Sequence, residues 1–104
     1  MLNELRDEIY TDAVAHGLYV DADWGTDEFG VRLKALDLIG SEATEALQAA
    51  HDTVHFCEEL ADVLIVTLSI CGKLGIDIDA EVQRKMAINK KRPWGHKGEV
   101  QDDD

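Results

Sequence analysis

The chain has little of what cross-links, breaks or exports many small domains. Only two of its 104 residues are cysteine and one is proline. Cys57 and Cys71 fall on one expected helix, where their separation amounts to roughly 21 Å, far beyond the reach of a disulfide. They read as buried free thiols, which suits a reducing compartment. Basic residues are scarce too: ten Lys and Arg stand against 22 Asp and Glu, a formal charge of −12. That field repels phosphate backbones and excludes a broad basic surface for long nucleic acid. Long apolar runs are also missing. The longest nearly apolar stretch, Leu60 to Gly72, is interrupted by Asp62 and too short to span a bilayer. No basic start leads into an apolar signal stretch, so a cytoplasmic protein without a membrane partner is expected.

What is present belongs to an ordinary globular chain. A hydrophobic fraction of 45% and a charged fraction of 31% separate it from disordered sequences. A chain this short has room for one modest core, so one domain over residues 1–98, followed by an acidic tail over 99–104, is expected to complete that core by dimerising.

Helical signals run throughout. Asn3 reads as an N-cap, with Leu5, Ile9, Ala13 and His16 at helical spacing and Gly17 as the stop. Leu18 to Thr26, with Trp24 and Gly25, lacks periodicity and reads as a connection. From about Asp27 to Ala50 the apolar positions Val31, Leu33, Leu36, Leu38, Ile39, Ala43, Ala46 and Leu47 favour a helix that Gly40 weakens. Asp52 or Thr53 caps the next, which reaches about Leu74 and stops at Gly75. Asp77 or Asp79 caps a last helix running to Lys91 before Pro93. The fold class is therefore all-α, a bundle of four to five helices. The stretch from Leu60 to Gly72 is apolar all round and needs cover on every side, from its own bundle or from a second chain.

Two acidic pairs stand out. Glu42 and Glu45 are three apart, one helical turn on one face, and Glu59 and Asp62 repeat the arrangement on the following helix. If the two helices pack antiparallel, four carboxylates converge. Like charges held so close raise one another's pKa unless a cation neutralises them, and an all-oxygen set favours Mg²⁺ or Mn²⁺. An isolated pair of this kind is usually solvated helix surface. Asp62 differs, since it begins the apolar stretch Asp62-Val63-Leu64-Ile65-Val66, where an unpaired carboxylate is costly.

Three segments in order carry a resemblance: Ser41-Glu42-Ala43-Thr44-Glu45, then Glu58-Glu59-Leu60-Ala61-Asp62, then Lys85 to Trp94 with its Asn89-Lys90-Lys91-Arg92-Pro93. Together they make the chain, from about His16 to Gly98, similar to the MazG-like nucleotide pyrophosphohydrolases of the all-α NTP pyrophosphatase superfamily. The resemblance implies Mg²⁺ held by Glu42, Glu45, Glu59 and Asp62, and hydrolysis of a nucleoside triphosphate between the α and β phosphates, in nucleotide-pool housecleaning. Glu42 or Glu45 is then the carboxylate that takes a proton from water. Family members often carry a further glutamate directly before the ExxE, where this sequence has Ser41, so the number of ions and the water-activating group stay open.

Seven of the ten basic residues lie between Lys73 and Lys97. A solvated helix face with cations near its C-terminus accounts for some of them. By resemblance Lys85, Asn89 and Arg92, which share one helical face, contact phosphate or sugar, with Lys73 a weaker candidate. Trp24, Phe29 and Trp94 are candidates for stacking on a base, although aromatics more often fill a core. His16 is placed to close a helix end or line the pocket, and His51 and His55 read as surface residues. A homodimer or a dimer of dimers is expected.

Three other assignments compete with this one. A ferritin-like di-iron site needs two Glu-x-x-His motifs, which are missing. A non-enzymatic helical interaction module accounts for the apolar helix but not for Asp62. A phosphoribosyl-ATP pyrophosphohydrolase-like enzyme shares related motifs, but the Lys90-Lys91-Arg92-Pro93-Trp94 ending favours the MazG-like branch.

Overall fold

Aspartates and the left-handed glycines Gly17 and Gly75 set most of the helix starts and stops. In the computed structural model, which describes residues 1–20 and 24–92, four helices and no strand occur among the described residues. They are α1 (Leu2–Ala15), α2 (Glu28–Gln48), α3 (Thr53–Leu74) and α4 (Ile78–Asn89). Asp27 accepts a hydrogen bond from the Gly30 N–H, Asp52 from the Val54 and His55 N–H groups, and Asp77 from the Ala80 N–H, each satisfying donors that a helix start leaves open. Gly75 ends α3 at φ 69°, a left-handed conformation that costs a residue with a Cβ. Gly40 does not interrupt α2. Helix α4 stops at Asn89, short of the expected Lys91.

The start of α1 departs from expectation, because Asn3 does not cap its own helix. The amides of Leu2 and Asn3 donate to the Asp79 carboxylate at 2.8 and 3.0 Å. In return, Asn3 Oδ1 accepts from the Ile78 and Asp79 amides at 2.9 and 3.3 Å. Each helix thus caps the other. Arg6 adds a hydrogen bond to the Ile76 carbonyl at 2.7 Å. The Met1 amine, which donates to Asp79, and these amides together hold the Asp79 carboxyl down at about 2. Asn3→Ala is expected to cost about 1 kcal/mol, the usual worth of a cap. Urea unfolding would show this as a lower midpoint at unchanged slope.

Helix α3 is the centre of the bundle, with α1 and α2 packed on it. Its C-terminal half carries the buried Leu68, Ser69, Ile70 and Cys71. The core joins Trp24, Val31, Ala35 and Ile70, flanked by Tyr19, Leu38, Ile39 and Val66. Ser69 is satisfied by the Tyr19 hydroxyl at 2.6 Å. At Gly72 the backbones of α1 and α3 come close, and an added Cβ would lie 2.5 Å from Tyr10 Cβ. The N-terminal half of α3 is less covered: Leu60, Leu64 and Ile65 remain 49%, 52% and 44% exposed. Cys57 lies on this half and is exposed, so only Cys71 is the buried thiol expected of both. No helix among the described residues is long and apolar enough to cross a membrane.

Candidate metal centre

The connection between α2 and α3 spans only residues 49–52, so the two helices form a hairpin in which the last turns of one face the first turns of the other. That geometry assembles the acidic pairs. Glu42, Glu45 and Glu59 each place one carboxylate oxygen within 4.8 Å of the others. Glu42 and Glu59 are half-buried and Glu45 is exposed.

Glu59 is the most constrained of them. Its Oε1 is buried and has no hydrogen-bond partner. An unpaired acceptor removed from water is costly unless a cation or a proton meets it. Withdrawal from water, then the charges of Glu45 and Asp62, push the Glu59 carboxyl above the usual range. Glu42 is raised likewise, by burial first and then by Glu45, Asp62 and Glu59. Asp62 therefore acts on the cluster electrostatically, but it is itself exposed and is not one of the three converging oxygens. Asp62 does not bear the burial cost expected of it, because it sits on the solvent side of an apolar stretch whose burial begins further along α3.

These shifts have a sign. A carboxyl whose folded pKa is raised stabilises the fold below its unfolded value, 4.5 for glutamate, and loses that contribution as pH rises through the folded value. Asp52, Asp77 and Asp79 are shifted downward from 3.8 and act oppositely, losing their contribution only at lower pH. The metal-free protein is therefore expected to melt higher at about pH 5 than at about pH 7, then lower again below about pH 3.5. A series of melts in EDTA checks this.

The expected substrate contacts are placed less uniformly. Lys85 and Asn89 share a face of α4, but Arg92 lies three residues past its end rather than on the expected common face, and its Nη2 donates to Asn89 Oδ1 at 3.4 Å. The principal packing of α4 is on α1, however, so this face and the carboxylates belong to different helix pairs of the chain. Lys73 follows Glu59 by 14 positions on α3, roughly 21 Å along the axis. Its ammonium lies over the Tyr19 and Trp24 rings at 5.2 and 5.4 Å, so it braces the aromatic core rather than facing the carboxylates. Trp24 is 6% exposed, and its indole N–H donates to the Leu18 carbonyl at 3.1 Å. It fills the core, the commoner of the two roles foreseen for it. Phe29 is open to solvent. His16 caps α1, with its Nδ1 2.8 Å from the Asp12 carbonyl oxygen, and His51 and His55 are exposed as expected. Pro93 and Trp94 lie outside the described residues.

Comparison with known proteins adds to this geometry. A family model described as "MazG-like family" matches residues 30–103. The chain is 42% identical over 45 residues to a dATP/dGTP diphosphohydrolase of Cyanophage S-2L. That stretch covers 43% of the chain and 43% of the relative, under half of its length. No solved structure matches the chain.

Proposed function

The chain belongs to the MazG-like family, and from that premise we propose that it is a Mg²⁺-dependent nucleoside triphosphate pyrophosphohydrolase, releasing a nucleoside monophosphate and pyrophosphate. The observation that carries this reading is the buried, unpartnered Glu59 oxygen beside Glu42 and Glu45. An acidic cluster on a solvated surface would leave no such atom. The donor set suits Mg²⁺, with Mn²⁺ as a substitute: oxygen only, anionic, and open on the Glu45 side. Glu42, Glu45 and Glu59 hold the ion, with Asp62 at the rim.

When bound, the ion neutralises phosphate oxygens and lowers the pKa of water at the site. The chain's own residues then orient and move protons. Glu42 and Glu45 are the carboxylates placed to take the proton of the water that attacks the α phosphorus as the bond to the β-phosphate oxygen breaks. Lys85, Asn89 and Arg92 contact phosphate or sugar, and Trp94 offers a stacking face for the base. The relative's name makes dATP and dGTP the first substrates to try. The enzyme works in the cytoplasm as a homodimer or dimer of dimers in nucleotide-pool housecleaning. The exposed Leu33, Leu36, Leu47, Leu60 and Leu64 support the association.

The test is a panel of nucleoside triphosphates with Mg²⁺, scored separately for pyrophosphate and orthophosphate, with Glu59→Gln and Asp62→Asn as controls. Pyrophosphate release that both variants lose is expected; orthophosphate release, or full activity in both variants, refutes the reading. Independently, Mg²⁺ added after EDTA is expected to raise the melting temperature with concentration, by an amount equivalent to about 2.7 kcal/mol at a hundred times its dissociation constant. An unchanged melt at millimolar Mg²⁺ would count against the metal site itself.

A further inference from the structure

The line of α3 that carries its acidic pair does not end there. From Glu59 it continues through Asp62, Val66 and Ser69 in steps of three, four and three, one stripe of a helix. Glu59 and Asp62 belong to the carboxylate cluster, and Val66 and Ser69 line a cavity of about 510 Å³ between α1 and α3, a volume within the range of small-molecule sites. Ile9, Ala13, Leu18, Ile65 and Val66 give it apolar walls. Ser69 lies about 10 Å along the axis from Asp62, of the order of the reach from a nucleotide's α-phosphate to the far edge of its base.

The polar groups of this cavity decide what it can hold. Ser69 is 2% exposed, with its Oγ 2.6 Å from the Tyr19 hydroxyl oxygen. Burial pushes the Tyr19 phenol up, so it keeps its proton, and a phenol donates more readily than an alcohol. The bond between the two hydroxyls therefore uses the Tyr19 proton and leaves that of Ser69 to be donated elsewhere. Glu8 and Asp12 stand exposed at the mouth, and carboxylates only accept. No lysine or arginine lines the cavity among the described residues, so a phosphate group is repelled from it. A flat neutral ring, with an acceptor on its edge and an amino group beside that acceptor, matches walls, floor and mouth together.

We infer that Ser69 is a specificity-determining residue: it donates to a ring nitrogen of a base held in this cavity, while Glu8 and Asp12 accept from the exocyclic amino group, so that amino-bearing bases are selected over their deaminated counterparts. The inference rests on the preceding reading, in which the phosphates lie at the carboxylates. Adenine and cytosine present a ring-nitrogen acceptor directly beside an amino group. In hypoxanthine and uracil the same edge carries an N–H beside a carbonyl oxygen, so the Ser69 proton meets a donor and the carboxylates meet an acceptor. Leaving a site's polar groups unmatched in this way is a strong source of discrimination. Tyr19 acts through Ser69 and is a positioning residue. Its ring, 4.9 Å from that of Trp24 and with the Lys73 ammonium 5.2 Å from its centre, fixes the direction in which the serine hydroxyl is held.

Two pairs of triphosphates test the selection, dATP against dITP and dCTP against dUTP, each with Mg²⁺. In whichever pair is turned over faster, kcat/KM is expected to favour the amino base at least about tenfold. Ser69→Ala, Tyr19→Phe and Asp12→Asn are each expected to narrow that ratio, chiefly through KM. Tyr19→Phe keeps the ring contacts, so it and Asp12→Asn decide the outcome if Ser69→Ala does not fold. A ratio that favours the deaminated base, or one that the folded variants leave at the parent's value, overturns the selection. Occupancy is read without hydrolysis, by adding Mg²⁺ and the α,β-methylene analogues of dATP and dCTP, which cannot be cut at that bond. Methyl resonances of Ile9, Ala13, Leu18, Ile65 and Val66 are expected to shift. Shifts confined to residues around Glu42, Glu45 and Glu59 overturn the cavity and leave the proposed activity standing. Cavity shifts without hydrolysis of any triphosphate sink the activity and leave the site, and no shift with either analogue overturns both.

Discussion

Glu59→Gln is expected to lower pyrophosphate release by at least about a hundredfold, since even loss of groups that only support a metal's ligands costs up to that much. The same substitution is expected to raise the melting temperature of the metal-free protein. The two effects have opposite signs for one reason. Without metal, Glu59 is a charge withdrawn from water beside Glu45 and Asp62, with one oxygen unpartnered. An amide of the same shape removes the repulsion and brings an N–H able to donate to Glu42 or Glu45. With metal, the repulsion is what binds the ion, so Glu59→Gln should also flatten the rise in melting temperature with Mg²⁺. A variant that melts lower than the parent in EDTA would mean that Glu59 is a structural residue and that the cluster is not a poised cation site.

Gly72→Ala is expected to destabilise the fold by about 1–3 kcal/mol, lowering the melting temperature by about 5–15 °C. Propensity alone predicts the reverse, because alanine is better than glycine within a helix by about 1 kcal/mol. The packing decides. A Cβ at Gly72 would lie 2.5 Å from Tyr10 Cβ and 2.8 Å from its Cγ. Those atoms are the root of the side chain rather than a flexible end, so α1 must move off α3. Tyr10 also lies 5.4 Å from Tyr19 between ring centroids, so the displacement spreads into the aromatic contacts around Trp24. A thermal melt that rises in Gly72→Ala would show that the two helices separate freely.

The parts of the fold that were legible in the sequence are those with local causes. Asp27, Asp52 and Asp77 lie immediately before apolar periodicity, and Gly17 and Gly75 immediately after it, so three helix starts and two stops follow from neighbours in the chain. The acidic pairs were legible for the same reason, since a separation of three fixes a shared face. What required the structure was which face looks inward. Asp62 and Cys57 both sit beside apolar residues, but α1 and α2 cover α3 mainly toward its C-terminal half, leaving these two exposed. Glu59, set between Glu58 and Leu60 with no sequence mark of burial, holds the orphaned oxygen. Leu33, Leu36 and Leu47 belong to the apolar spacing that marks α2 as a helix, yet they line its outer face. The Asn3 and Asp79 exchange was invisible because its partners are 76 positions apart.

That separation bears on how the molecule comes together. A helix normally acquires its cap from its own flank, as soon as a few residues have formed. Here the first amides of α1 find theirs only on α4, and α4 finds part of its own on α1. Neither end is complete until the chain has closed a loop of about 76 residues, so the contact comes late and is entropically demanding. The two helix starts are therefore expected to open as a unit, each exposing the amides of the other, so that hydrogen exchange at Leu2, Asn3, Ile78 and Asp79 follows one common rate.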